Sequence, residues 1–267
     1  MDEKEYFNII SEYKLLAKHE VGQNFLADPS VANKIVGLAN LASSDKVLEI
    51  GSGAGSLSYF IARSGASATL IDIDPGLVTK LQGDFSENPN VKVEQANALK
   101  YDLSSFNKII GNLPYYITSS LIERLLLNGS SLSEAVLMVQ KEAYVRLAAK
   151  VGSKDYGPLP ILLAYLGTTK KEFDVYPASF VPAPHVSSTV FTISFDKKAD
   201  GVTAARLYKL TSALFLHRRK TVLNNLSFYL GDSAKAKEVL SLSHIKENER
   251  PEDISLQSYL SLLSLLN

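Results

Sequence analysis

The chain has 267 residues, 46% hydrophobic and 21% charged, enough for one full α/β domain and a smaller second one. Its 28 basic residues balance 28 acidic ones, so net charge selects no class of partner. With no cysteine and only four scattered histidines, the sequence holds no disulfide, thiolate chemistry or zinc-ligand set, and no metal is expected.

No run reaches the roughly eighteen apolar residues of a membrane span. The start Met1-Asp2-Glu3-Lys4-Glu5 is neither a secretory leader nor an Arg-rich transit peptide, so a cytoplasmic chain without membrane attachment is expected. Residues 6–18 carry apolar positions at mixed three and four spacing, a helical pattern. Gly22-Gln23-Asn24-Phe25-Leu26 reads as a loop, and Asp28 with Pro29 as the cap and first position of a second helix. Residues 46–50 read as a strand that runs into Gly51-Ser52-Gly53-Ala54-Gly55. A helical pattern over 56–63 and a strand over 68–72 follow. This strand-loop-helix-strand unit is the repeat of a mostly parallel sheet.

The alternation continues with a helix over 77–85, strands over 91–94 and 108–111, a helix over 119–127, a strand over 135–139 and a helix over 141–150. Residues 171–176 and 189–195 show strand-type enrichment and complete the sheet, joined by a connection that Pro177, Pro182 and Pro184 stiffen. Beyond residue 200 the pattern turns all-helical, with helices over 206–216, 221–230, 234–242 and 254–266. The expected organisation is therefore an α/β domain with a mostly parallel sheet over 1–200 and a small helical domain over 201–267.

The glycines at alternating positions between a strand and a helix permit a tight turn and let backbone approach a ligand. Asp72, about twenty residues on at the end of the next strand, can accept both hydroxyls of an adenosine ribose. That pair fits a dinucleotide or S-adenosylmethionine. Residue 56 is serine, so the six-residue dinucleotide fingerprint is absent, and Glu49 stands just before the turn, where it can orient backbone or an ammonium group. Both details favour S-adenosylmethionine. Gly51 and Gly53 read as cofactor-contacting and Gly55 as a packing position. Asn97, after the third strand, can bond an adenine edge, although an isolated loop Asn also serves as a turn residue.

Asn112-Leu113-Pro114-Tyr115 follows the apolar run 108–111 at a strand end. An exocyclic adenine amine is a poor nucleophile because its lone pair is delocalised into the ring. Acceptors that bind its hydrogens favour the geometry of attack, and Asn112 Oδ1 with the Leu113 carbonyl can supply them. Pro114 fixes that carbonyl, Tyr115 can stack on the base, and orientation does most of the work. The bland alternative is a proline turn with packed tyrosines. Phe180 is a candidate second stacking partner or, alternatively, a core residue. The triplet Arg218-Arg219-Lys220 is a candidate phosphate contact or an ordinary solvated helix face.

These segments, taken in order with Gly22 to Leu26 and Phe180-Val181-Pro182-Ala183-Pro184-His185-Val186, resemble the ribosomal RNA adenine dimethyltransferases over nearly the full length, from about residue 8 to 265. The resemblance is closest to the bacterial small-subunit branch. It implies a Rossmann-like catalytic domain with S-adenosylmethionine as cofactor, Gln23 and Leu26 by its methionine part, Asp72 on the ribose, Asn97 near the adenine and Asn112 beside the methyl group, with Asn24, Glu49, Gly51, Gly53, Ile73 and Ala98 also among the cofactor-binding residues. It implies a target base held between Tyr115 and Phe180, 16S rRNA of the small subunit or its precursor as partner, a monomer, and RNA contacts from Arg218, Arg219 and Lys220. The product would be N6,N6-dimethyladenosine at two adjacent adenosines of the 3′-terminal hairpin loop.

The chain departs from that pattern at Asn97, where the family has aspartate, and at Lys18-His19-Glu20-Val21, where it tends to carry basic residues and an aromatic. Its zero net charge is low for such an enzyme, so less phosphate attraction is expected. The competing readings are a 23S rRNA adenine methyltransferase of the macrolide-resistance type, where isoleucine tends to replace Leu113, and a non-catalytic 30S assembly factor.

Overall fold

The computed structural model of the chain describes residues 2–12, 24–196 and 198–266. The strands are β1 (Phe25–Leu26), β2 (Lys46–Ile50), β3 (Ser67–Asp72), β4 (Val91–Gln95), β5 (Lys108–Asn112), β6 (Glu134–Gln140), β7 (Gly167–Val175), β8 (Phe180–Val181) and β9 (Ser188–Phe195). The helices are α1 (Glu3–Glu12), α2 (Pro29–Leu38), α3 (Ser56–Ile61), α4 (Pro75–Asp84), α5 (Thr118–Asn128), α6 (Lys141–Leu147), α7 (Pro158–Leu166), α8 (Gly201–Leu214), α9 (Val222–Leu230), α10 (Ser233–Leu242) and α11 (Leu256–Ser264).

Seven strands form one sheet in the order β4-β3-β2-β5-β6-β9-β7. The β4–β3, β3–β2, β2–β5 and β5–β6 pairs are parallel and β6–β9 is antiparallel. Strand order reverses between β2 and β5, the switch point at whose carboxyl edge a Rossmann-like sheet binds its ligand. The central strands read as unbroken apolar runs because both faces are covered. Val47 and Leu48 of β2, Ile109 and Ile110 of β5, and all five residues from Ala135 to Val139 of β6 are fully buried.

Helix starts follow local chemistry. Asp28 accepts from the Ser30 and Val31 amides and caps α2, with Pro29 in the first turn, and Asp74 caps α4 in the same way before Pro75. Of the helix expected over 6–18, α1 accounts for the stretch to residue 12. The remainder lies outside the described residues.

The chain divides into two compact units, residues 1–144 with 169–195, and 145–168 with 196–267. The second therefore draws on residues before 200 as well as after it. The reason is α7, whose Ile161 joins Leu207, Leu214, Leu226 and Tyr259 in that unit's core. The stretch is apolar all round and offers no helical stripe to recognise in sequence. Among the described residues no helix is long and apolar enough to cross a membrane.

Candidate functional site

The turn after β2 is fastened to the end of β3. Gly51 and Ser52 both donate their amides to the Ile71 carbonyl, at 3.0 and 3.1 Å. The Gly53 amide donates to Asp72 Oδ2 at 2.8 Å, and the Asp74 amide to Asp72 Oδ1 at 2.9 Å. Each carboxylate oxygen keeps acceptor capacity, so Asp72 can still receive hydroxyls. Gly55 adopts φ +97°, and a Cβ there would overlap the Tyr6 hydroxyl and approach Leu81 Cδ2 to 2.8 Å.

Glu49 is 1% exposed, with Ser58 donating to its Oε2 at 2.6 Å. Burial pushes its carboxyl up to about 8, the nearby Asp72 charge adds to this, and the serine hydrogen bond works against it.

The end of β5 forms the facing wall. Leu113 is buried and donates its amide to Met138 O at 3.0 Å. The Pro114 carbonyl receives the Ile117 amide and the Thr118 hydroxyl, which turns the chain through Tyr115–Ile117 into α5. Tyr115 is half-buried with its hydroxyl 3.4 Å from Ser188 Oγ, while Tyr116 is 65% exposed. The two walls touch: a Cβ on Gly51 would sit 3.4 Å from the Asn112 carbonyl and 3.6 Å from Pro114 Cδ.

A third segment closes the cleft. Phe25 and Leu26 pair antiparallel with Val181 and Phe180, so residues expected in a loop form the short strand β1. The Ser56 hydroxyl donates to the Leu26 carbonyl and the Ala27 amide to Ser179 O. This ties the strip both to the glycine turn and to the segment before β9.

Together these elements wall a cleft of about 250 Å³. Of the residues expected to hold cofactor, Asn24, Leu26, Glu49, Gly51, Gly53, Asp72 and Ile73 line it, and Asn112, Leu113, Pro114 and Tyr115 line it with them. A ribose-type carboxylate, an apolar flank from Ile73, Pro75 and Leu77, and a side-chain amide at the far wall are a donor set that fits S-adenosylmethionine. Sequence reading missed Ser56, Leu77 and Tyr116 as lining residues; their only signal was adjacency to the two motifs and to the start of α4.

Three expected residues do not line the cleft. Phe180 is 3% exposed within the main core. Asn97 is exposed and its Oδ1 accepts the Leu99 amide at 2.9 Å, a local turn, and Ala98 beside it is buried. Gln23 lies outside the described residues. In the second unit the basic triplet sits on a turn after α8. Arg218 donates to Tyr156 O at 3.1 Å and lies 5.4 Å from the Phe215 ring, whereas Arg219 and Lys220 are exposed.

Residues 15–267 match the family described as Ribosomal RNA adenine dimethylase. The chain is 35% identical over 266 residues to the Ribosomal RNA small subunit methyltransferase A of Malacoplasma penetrans, covering 98% of this chain and 96% of that one. A solved dimethyladenosine transferase from Plasmodium falciparum superposes with a TM-score of 0.78 at 26% identity, over 89% of this chain and 95% of that one. The 23S rRNA methyltransferase ErmE shares the fold, with a TM-score of 0.67 at 22% identity over 91% of this chain and 99% of that one.

Proposed function

Because the chain belongs to the ribosomal RNA adenine dimethylase family, we propose that it dimethylates N6 of two adjacent adenosines in the 3′-terminal hairpin loop of 16S rRNA, acting on the small ribosomal subunit or its precursor during maturation. The class of reaction, methylation of rRNA adenine by an S-adenosylmethionine-dependent enzyme, follows from the family. The small-subunit site is supported by similarity to small-subunit methyltransferases over nearly the whole chain. The enzyme works as a monomer in the cytoplasm.

One observation carries the reading: the Asp72-anchored glycine turn and the Asn112-to-Tyr115 turn wall the same cleft. Bound S-adenosylmethionine supplies an electrophilic methyl group. Asp72 holds ribose hydroxyls, Ile73 and Leu77 flank the adenine side, and the loop from Gly51 to Gly53 brings backbone close to the ligand. On the far wall, Asn112 Oδ1 and the Leu113 carbonyl accept the hydrogens of the target amine and turn its lone pair toward the methyl group. Tyr115 stacks on the extruded base. Phe180 is the second face of the base, and Asn97 and Ala98 meet the cofactor adenine. Arg219 and Lys220 reach phosphates, with Arg218 bracing their turn.

Labelled S-adenosylmethionine, undermethylated 30S subunits and free 23S rRNA test this together. The expected result is N6,N6-dimethyladenosine at the paired adenosines of the 3′-terminal hairpin and no label in 23S rRNA. Label confined to 23S rRNA would replace the substrate, and cofactor binding without transfer to either would replace the enzyme by an assembly factor.

A further inference from the structure

The back of the glycine turn is held by two side chains that do not themselves line the cleft. Lys80, on α4, reaches across to the turn and donates to the Ala54 carbonyl at 2.8 Å and to Asp84 Oδ2 at 2.6 Å, with its side chain 13% exposed. Its ammonium lies 4.6 Å from the Tyr6 ring centre. Tyr6, on α1, is 4% exposed and donates its hydroxyl to the Gly55 carbonyl at 3.4 Å.

A trans peptide points its N–H opposite to its C=O, so fixing a carbonyl aims the next amide. Lys80 on Ala54 O sends the Gly55 amide into Ser52 O, where it bonds at 2.9 Å and closes the turn. The Gly55 carbonyl, which takes the Tyr59 amide at 2.9 Å as the first bond of α3, also receives the Tyr6 hydroxyl, so the Ser56 amide points to the opposite side, and Ser56 lines the cleft. The fit is tight, since any side chain at Gly55 would strike the Tyr6 hydroxyl. Asp72 grips the same turn from the front through the Gly53 amide. Since Asp74, whose amide bonds Asp72, caps α4, one helix links that carboxylate to the brace behind the turn.

We infer that Lys80 and Tyr6 are positioning residues that set the shape of the cofactor turn from behind, α1 and α4 acting as a brace for S-adenosylmethionine affinity. This rests on the reading that the glycine turn binds the cofactor.

Calorimetric titration of S-adenosylhomocysteine into the full chain tests the brace. Lys80→Met should weaken binding about tenfold and Tyr6→Phe, which removes one hydroxyl and no charge, about threefold, the loss expected of one charged and one neutral buried hydrogen bond. Turnover at saturating cofactor should stay within about twofold of wild type, and Lys80→Arg should restore most of the affinity. Affinities equal to wild type in variants whose melting temperature falls would overturn the inference and leave both residues as packing alone. Should Lys80→Met fail to fold, Tyr6→Phe decides the matter by the same criterion. Failure of the wild-type chain itself to bind S-adenosylhomocysteine would overturn the cofactor reading and the brace together.

Discussion

On the glycine-turn wall of the cleft the polar groups are engaged before any ligand arrives: Asp72 receives two amides, Glu49 receives Ser58, and the Ala54 and Gly55 carbonyls are gripped from behind. On the opposite wall the Asn112 side-chain amide makes no hydrogen bond among the described residues, the Tyr115 hydroxyl has one long contact, and Tyr116 stands open to solvent. The difference matches what the proposed function asks of each wall. A small ligand of constant shape rewards a rigid, prefilled socket, whereas a base pulled from a polymer needs acceptors left vacant for it.

Removing the vacant acceptor tests the open wall most severely. Asn112→Ala should lower the rate of methyl transfer by about a hundredfold or more, as loss of an orienting group does elsewhere. Titration should show unchanged S-adenosylhomocysteine affinity, and a matching loss of affinity would erase the division between the walls. The rigid wall breaks most readily at Gly55. Gly55→Ala adds a left-handed backbone penalty to an overlap with Tyr6, and urea unfolding should register a loss of about 2–4 kcal/mol.

Tyr115 separates stacking from hydrogen bonding. Tyr115→Ala should cost about 1–3 kcal/mol in kcat/KM for the RNA, the value of one base on one ring, and Tyr115→Phe almost nothing. Equal losses in the two variants would assign the work to the hydroxyl.

Glu49 is probed by pH. Its folded carboxyl holds a proton up to about 8, against an ordinary value of 4.5, so between those limits the folded chain binds a proton that the unfolded chain has released. Stability should be greatest at the acid end of that window, fall as pH rises through it, and level off above. Melting temperatures of Glu49→Gln across the same range should lack this component of the slope.

What could be read locally was legible in the sequence. The strand into Gly51, the carboxylate at the end of β3 and the turn after β5 each combine a short-range pattern with a neighbour of known effect, and the structure gathers them at one sheet edge. Long-range pairings were not legible. Two-residue strands have no period, so nothing in Phe25-Leu26 announces Val181 and Phe180 as partners, and the same ladder places Phe180 in the core rather than on the cleft wall. At Asn97 the turn named beside the ligand role is the one formed here, because a local Asx turn competes for the oxygen that a ligand would use. The helix α7 stayed hidden because residues apolar on every side give neither a stripe nor an alternation.

The β1–β8 ladder also sets when the cleft can exist during synthesis. The glycine turn, Asp72 and Asn112 all lie in the first 112 residues, yet Leu26 is pinned by Phe180, and β6 lacks its antiparallel neighbour until Ser188–Phe195 has emerged. Contacts of such separation form late and slowly. A nascent chain halted at about residue 150 would thus display the glycine turn, Asp72 and the Asn112-to-Tyr115 turn while β6 remained a bare sheet edge, open to pairing with another strand. The cleft matures with the last strand of the sheet.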